Sequence, residues 1–487
     1  MDKSGKEQLS FVLRYVNSDN EIQEDFLGFV HLGEGLSGEA LSESILKKIE
    51  SLGLDIKNCR GQCYDGAGSV AGARNGCSAH ILRKISKALY THCFSHRLNL
   101  GVSKSTKIVS VSNMMENIKA ISDFFRNSEQ RQRVFTKYVD EFNPNSPKDK
   151  LKDVCRTRWI ERIDGLQLFV TLFPSIWNTL NDMRADISLS RNFQTKQDAF
   201  RLFKDVDDFD FIVNLIMVYK VFDVTLDATI LLQSKKNDIA DGLEVISSLI
   251  NLVNQYRREV DTKHAEWYGE ALSLAKKFDI AEKKLRTNKR QIHRENQPAT
   301  TASEYYKRCL TIPLLDQLLN DLESRFSENS LTSYYGLYLL PSKIVSMEHE
   351  KKNGKSWKPL TELVKPFYEF YKEEHFFQEI ETWRDIVLNH DTPPSNVKNT
   401  LKAFQFSGLE NVKTSLKILG TIPITSCECE RSFSGMRRLV NFCRSTMLEE
   451  RLNGLALMNF HLDRIPESKK VIDKFGGAKN RRLSLCL

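Results

Sequence analysis

Two acidic residues, far apart in the sequence, have the setting that metal chemistry on nucleic acid requires. Asp65 closes the run Gly61-Gln62-Cys63-Tyr64-Asp65 and precedes Gly66-Ala67-Gly68. A carboxylate at a strand end beside small residues can approach Mg2+ without crowding, and hard oxygen ligands suit that ion. Glu430 lies in Ser426-Cys427-Glu428-Cys429-Glu430-Arg431-Ser432-Phe433, the expected first turns of a helix with Ser426 as N-cap. Each carboxylate also has an ordinary explanation. Asp-Gly is a common turn pair, and the helix dipole favours acids in a first turn. Only a fold that joins the two makes part of a divalent-metal site.

Other residues carry weaker signals of the same kind. Cys93 and His96 have metal-ligand chemistry and C-x-x-H spacing, but no second pair nearby completes a zinc set. A buried Cys beside a His hydrogen-bonded at a strand-to-helix junction explains them better than a structural zinc. Arg158-Trp159 sets a cation beside a large aromatic, which can grip a phosphate and stack on an unpaired base, or simply anchor a helix. Basic residues gather at Lys283–Arg294 and at Arg437-Arg438, as phosphate contacts or as solvated faces.

The elements that must position these residues fall into two kinds. Leu9–Val16 and Phe26–Leu32 are β-rich runs either side of the turn Asn17-Ser18-Asp19-Asn20. Ser37–Leu52 has helical spacing, Cys59–Tyr64 reads as a strand, Ala79–Leu89 as a helix and Tyr90–Phe94 as a strand. That order predicts a mixed α/β sheet. Beyond Leu98 the pattern is helical, with Lys283–Ala302 as a polar, basic loop and a charged tail after Asp463. The 487 residues allow two or three domains, and 41% hydrophobic with 28% charged residues suits a globular chain. A net charge of +8 permits nucleic acid as a partner without requiring it. The ten cysteines are irregularly spaced and form no disulfide framework, and no long apolar run suggests a membrane span.

Taken in order, Tyr64–Gly72 (YDGAGSVAG), His92–Leu100 (HCFSHRLNL), Thr157–Trp159 (TRW) and Cys429–Ser434 (CERSFS) resemble the hAT superfamily of DNA transposases. The likeness is greatest to the animal branch with zinc-finger MYM-type and "repressor of the inhibitor of the protein kinase"-like members, and it covers nearly the whole chain. The resemblance implies a ribonuclease-H-like core interrupted by a large helical insertion. It implies an Asp, Asp, Glu set holding two metal ions for strand cleavage and transfer. Asp65 matches the second Asp and Glu430 the Glu. Arg158 and Trp159 match the insertion's DNA-handling pair, and Cys93 and His96 a structural C-x-x-H element. The segment from Cys429 to Arg444 and the Leu452–Leu462 helix match a C-terminal dimerisation region, with Phe433, Leu452, Leu455 and Met458 as pairing residues. The family's first strand, with its first Asp, precedes the segment matching Lys6-Glu7-Gln8-Leu9, so both are expected to be absent here. The family's zinc-binding DNA-recognition domain is expected to be absent as well.

The expectation is therefore a mixed α/β plus all-α fold. An N-terminally truncated ribonuclease-H-like core occupies 1–150 and a helical insertion with a basic loop near 283–302 occupies 151–410. The end of the core and the dimerisation region follow at 411–466, then a charged tail at 467–487. Functionally, the expectation is a transposase-derived nuclear protein with no competent active site and no cofactor as given. It would pair with its own copy or with a related hAT-type protein, with DNA as a further candidate partner and no membrane. The alternative is an active transposase represented by an incomplete gene model, using Mg2+ or Mn2+. A helical scaffold unconnected with DNA is the third reading.

Overall fold

The computed structural model describes residues 6–105, 108–146, 150–151, 159–185, 193–235, 237–283, 299–326, 332–353, 358–364, 373–440 and 447–477. The fold is mostly helical, with small sheets. Two compact units are present. One comprises Met1–Cys93, Lys235–Ala240 and Tyr334–Leu487, and the other Phe94–Ser234 and Asp241–Ser333.

The first unit opens with an antiparallel hairpin, β1 (Gln8–Val16) and β2 (Ile22–His31). Asn17 sets its turn by accepting the backbone N–H groups of Asp19 and Glu21, at 3.0 and 2.8 Å. A bulge then breaks the pairing, since Phe11 opposes Gly28 while Val12 opposes Phe26. Gly28 takes φ +128°, a conformation side chains rarely adopt. The extra residue changes the phase of β2, so Phe26 and Phe29 share one face although three positions apart. On the other face Phe11 and Leu32 pack against Leu41 and Ile45 of α1 (Gly38–Ser51) and against Cys77 and Ile81. Ser37 caps α1 by accepting Ala40 N–H at 3.2 Å.

β3 (Gly61–Tyr64), the single turn α2 (Gly68–Ala71), α3 (Cys77–Lys84) and β4 (Leu89–His92) complete this part. β3 and β4 pair in parallel, and the buried Gln62 amide donates to Ser78 O and Ala88 O, tying β3 to α3. The expected single mixed sheet is replaced, among the described residues, by two separate two-stranded ladders. A helix takes the place of a third strand along β1: Cys429 Sγ contacts Ser10 O at 3.8 Å, and the Ser10 and Ser432 hydroxyls bond at 2.6 Å.

The second unit is built from helices. These are α4 (Phe94–Ser105), α5 (Val109–Arg126), α6 (Glu129–Phe142), α7 (Trp159–Thr171), α8 (Phe173–Ala185) and α9 (Phe193–Val206). They are followed by α10 (Phe209–Leu232), α11 (Ile239–Arg258), α12 (Val260–Lys276), α13 (Ala302–Tyr306) and α14 (Ile312–Arg325). α10 is predominantly apolar and buries Ile212 through Val218, so it forms the axis of this unit. Beside it His264 of α12 is buried. Thr311, in the π-helical turn Lys307–Thr311, contacts Met217 Sδ through its hydroxyl at 3.5 Å and so accepts His264 Nδ1–H at 2.9 Å. Nε2 then accepts the Ser303 hydroxyl at 3.2 Å. Burial holds this imidazole down at about 4, so it is neutral at pH 7.

The first unit resumes with α15 (Pro341–Lys352), α16 (Leu360–Leu363), α17 (Glu373–Leu388), α18 (Val397–Ala403) and α19 (Glu410–Thr421). It ends with α20 (Cys427–Leu439), α21 (Glu449–Phe460) and α22 (Ser468–Gly477). Asp238 explains why its short segment belongs here. Its buried carboxylate accepts Val397 N–H at 2.7 Å and Lys398 N–H at 3.2 Å, at the start of α18.

Candidate functional site

The parallel pair β3–β4 delivers Asp65 to its carboxyl end, the usual position for a ligand site in an α/β layer. Cys93 N–H donates to Tyr64 O at 3.0 Å, and the Tyr90 hydroxyl reaches Asp65 O at 3.3 Å. The Asp65 carboxylate is exposed, and its Oδ1 accepts Ala67 N–H at 3.2 Å, a turn-type bond.

The start of α20 converges on the same end through sulfur. Ser426 N–H donates to Cys93 Sγ at 3.3 Å, and the Cys427 and Cys63 thiols also bond to Cys93. Those donors hold the buried Cys93 thiol well below its ordinary value, whereas burial pushes Cys63 well up and Cys429 to about 12. Cys63 stands two residues before Asp65, and Cys429 is next to Glu430, so thiols from the end of β3 and the start of α20 gather around the buried Cys93. Ser426 occupies the N-cap position, but its side chain makes no capping bond; Thr425 Oγ1 accepts Cys427 N–H at 2.9 Å instead.

Glu430 is exposed in the first turn of α20, and its neighbour Glu428 is the buried acid of the pair. Glu428 bonds Arg431 and pairs with Lys235 at 2.5 Å. Close by, Arg14 pairs with Glu24 at 2.5 Å, both almost wholly buried, and burial raises Glu24 despite that partner. Glu24, Lys235 and Glu428 line a cavity of about 310 Å³ with Asp25, Lys398 and Arg464. Sequence reasoning passed over Glu428 and Arg14. Residues 428 and 430 project to opposite sides of a helix, and only the position of β1 decides which turns inward. Among the described residues no group of three His, Cys, Asp or Glu side chains is placed to hold a metal ion. Asp65 and Glu430 alone do not fit a two-metal centre.

α21 is tied to the free edge of β2 by its side chains. Asn453 Oδ1 accepts Phe29 N–H at 2.6 Å, while its Nδ2 donates to Phe29 O at 2.9 Å. It thereby bonds this strand edge as a neighbouring strand would. His461 Nε2 donates to Phe26 O at 2.8 Å, and Glu449 approaches His31 N–H at 3.4 Å. Leu452 and Ala456 are buried against Phe26, Phe29 and Met436, and Phe433 packs on Phe29 with ring centres 5.8 Å apart. Gly435 permits the close crossing of α20 and α21, because a Cβ there would lie 2.4 Å from Phe460 Cζ. The opposite side of α21 is open. Leu455 is half-buried and Met458 is exposed, as are Leu448 and Leu462 at the two ends.

The remaining candidates are separated or lie outside the described residues. Cys93 is buried at the end of β4, and His96 is half-buried on α4 in the helical unit. Trp159 opens α7; Arg158 lies outside the described residues, as does 284–298 of the basic loop. Arg437 and Arg438 are exposed in the last turn of α20, where the helix dipole favours cations. Among the described residues no helix is long and apolar enough to cross a membrane.

Comparison with known families agrees at both ends of the chain. Residues 1–76 match a model described as the ZMYM1/FAM200 RNase-like domain, and residues 407–463 match the hAT family C-terminal dimerisation region. With the relatives below, these matches support an hAT-derived protein. The human protein named "52 kDa repressor of the inhibitor of the protein kinase" is 27% identical over 485 residues, covering 95% of this chain and 61% of that protein. The mouse protein of the same name is 27% identical over 486 residues, with the same coverage. The chain thus spans about three fifths of the length of these curated relatives.

Proposed function

We propose that this chain is a nuclear, transposase-derived protein that acts by pairing with a second copy, or with a related hAT-type protein, and does not cut DNA. One observation carries the reading: within the matched dimerisation region, α21 is fixed inward onto β2 and leaves Met458 and Leu462 in solvent. A helix so firmly held, with apolar residues outside, is a prepared pairing surface. Of the four pairing candidates, Leu452 and Phe433 support the helix from within, while Met458 and the edge of Leu455 face outward. In this reading the RNase-like segment is the remnant of a ribonuclease-H-like core. The helical insertion of the family corresponds to 151–410, the end of the core and the pairing region to 411–466, and the charged tail to 467–487. Arg158 and Trp159 provide the residual DNA contact, and Cys93 with His96 a structural element.

Light scattering at micromolar concentration tests the pairing, with a dimer expected; a clean monomer refutes it. The second reading, a metal-dependent DNA transposase, draws on the convergence of β3 and α20 beneath Asp65 and Glu430. A nicking assay on plasmid DNA with Mg2+ or Mn2+ separates the two. We expect no cleavage, and cleavage that Asp65→Asn abolishes would establish the transposase.

A further inference from the structure

The positive charge of the chain is concentrated around α3. Residues 55–92 carry Lys57, Arg60, Arg74, Arg83, Lys84 and Lys87 against two acids, Asp55 and Asp65, and so hold half of the net charge of +8. α3 buries Cys77, Ser78 and Ile81 on its inner side, which leaves His80, Arg83 and Lys84, at i, i+3 and i+4, together on the outer side. Arg83 is held in place there. Its guanidinium donates to Arg74 O and, at 3.2 Å, to His80 Nδ1, so the Nε2–H of His80 is left as a further donor. The loop that carries Arg74 is itself fixed, because a Cβ on Gly38 of α1 would strike Asn75 O and Cys77 N. Arg74 and Lys84 are exposed, and their side chains meet no hydrogen-bonding or ionic partner among the described residues. Arg60 and Lys87 lie beyond the end of α3, where Leu89 N–H donates to Arg60 O at 3.1 Å, and add to the positive field.

The chemistry of this side selects its partner. A braced guanidinium, a second arginine, an ammonium and an imidazole N–H are all donors suited to phosphate oxygens. The eight residues of α3, Cys77–Lys84, rise about 12 Å. One strand of duplex DNA presents a phosphate every 3.4 Å or so of axis, so that length faces about three phosphates. No large hydrophobic residue from 55 to 92 is exposed, so the side lacks the apolar anchor that a protein partner would bury. We infer that the outer side of α3, with Arg74, His80, Arg83 and Lys84, is a nucleic-acid surface that grips the phosphates of one strand without reading its bases. The surface lies in the first compact unit, apart from Trp159 in the second, and is a contact additional to the pairing function and to Arg158 and Trp159.

The test is fluorescence anisotropy of labelled 20-base-pair and 20-nucleotide DNA of arbitrary sequence, titrated with the whole chain over a series of salt concentrations. Arg74→Gln/Arg83→Gln/Lys84→Gln should weaken binding about tenfold or more at 100 mM salt. It should also flatten the dependence of log Kd on log salt by about 2–3 on duplex, and by somewhat less on single strands. Arg74→Gln/Lys84→Gln, which keeps the Arg83–His80 bond, should flatten it by about 2 with an unchanged thermal midpoint, since both residues are exposed. Lys343→Gln/Lys351→Gln/Lys352→Gln on α15 removes the same net charge from another surface and should leave affinity within about twofold. Equal losses from the α3 and α15 variants reduce the effect to net charge and overturn the inference. A wild type that binds DNA with an affinity and salt slope indifferent to the α3 substitutions overturns it too. If Arg158→Ala/Trp159→Ala then abolishes that binding, the DNA contact proposed earlier stands alone; if only the α3 variants abolish it, the earlier contact falls and the α3 surface stands. A wild type that binds neither DNA at 50 mM salt removes both. Tighter binding of a polyglutamate peptide of equal charge, lost in the same triple variant, assigns the surface to an acidic protein and overturns the inference.

Discussion

The end of β3 and the edge of β2 receive different treatment from the helices laid against them. At β3, Asp65 and Glu430 are exposed, and the bond seen at the Asp65 carboxylate is a local turn contact to Ala67 N–H. At β2, α21 contributes Asn453, His461 and Glu449 to the strand's backbone, and Leu452 and Ala456 to the core beneath it. The two candidate carboxylates lie at the surface, whereas α21 is built into the fold. A chain can therefore exchange exposed residues at the first place and keep its structure. It cannot lose the second place without losing the surface that α21 presents.

The largest test of that contrast is Leu452→Asp. It places a charge among Phe26, Phe29 and Met436, at a position 3% exposed, and should destabilise the first unit by on the order of 4 kcal/mol or more. Urea unfolding followed by circular dichroism measures this; a shift below about 1 kcal/mol would mean that α21 is not seated on β2.

His264 provides the corresponding case in the helical unit, a buried ionisable group with both nitrogens engaged. Its folded value of about 4 lies below the ordinary 6.5. Between these values the unfolded chain binds a proton that the native site refuses. Stability from this group is thus complete above about pH 6.5 and lost as pH falls towards 4, on the order of 3 kcal/mol in all. Comparing unfolding of the wild type and His264→Gln at pH 7 and pH 4.5 isolates it, and equal pH dependence in both refutes the assignment.

Asn453→Ala should have a smaller effect, about 1–3 kcal/mol, because it leaves the N–H and C=O of Phe29 without that partner. Hydrogen exchange of the Phe29 amide should quicken in the variant. No change in that amide would show that the edge contact does not matter.

Much of this contrast was legible in the sequence, though not its cause. The strands, the helix with Leu41 and Ile45 inward, and the apolar character of α21 all follow from periodicity. The bulge was not legible, since Gly28 in a strand signals an irregularity without saying which neighbours change face. Nor was the division into two ladders, because a strand's partners depend on what else reaches its edge, and here Cys429 and Ser432 of a distant helix lie against Ser10. The same long-range contact turned Glu428 inward and Glu430 outward, a choice that local spacing leaves open. At the candidate site the sequence supplied the residue types, and the convergence of Cys63 and Cys427 on Cys93 required the fold.

The smallest expected effect discriminates most sharply between the two readings of the carboxylates. If Asp65 and Glu430 are exposed remnants, Asp65→Asn and Glu430→Gln should each change stability by no more than about 0.5 kcal/mol, as surface substitutions do. Asn at 65 retains an oxygen for Ala67 N–H, so the turn itself survives. A working metal site behaves differently. Ligands gathered for a cation repel one another without it, so removing one stabilises the metal-free protein, and added Mn2+ raises the wild-type melting temperature in proportion to its occupancy. Thermal unfolding of the wild type and both variants, with and without millimolar Mn2+, therefore distinguishes the readings without requiring any DNA cleavage. Coincident curves place Asp65 and Glu430 among ordinary surface residues. A Mn2+-dependent rise in the wild type that either substitution abolishes would show that the β3–α20 junction still binds metal, and the contrast with the β2 edge would then be one of function rather than of loss.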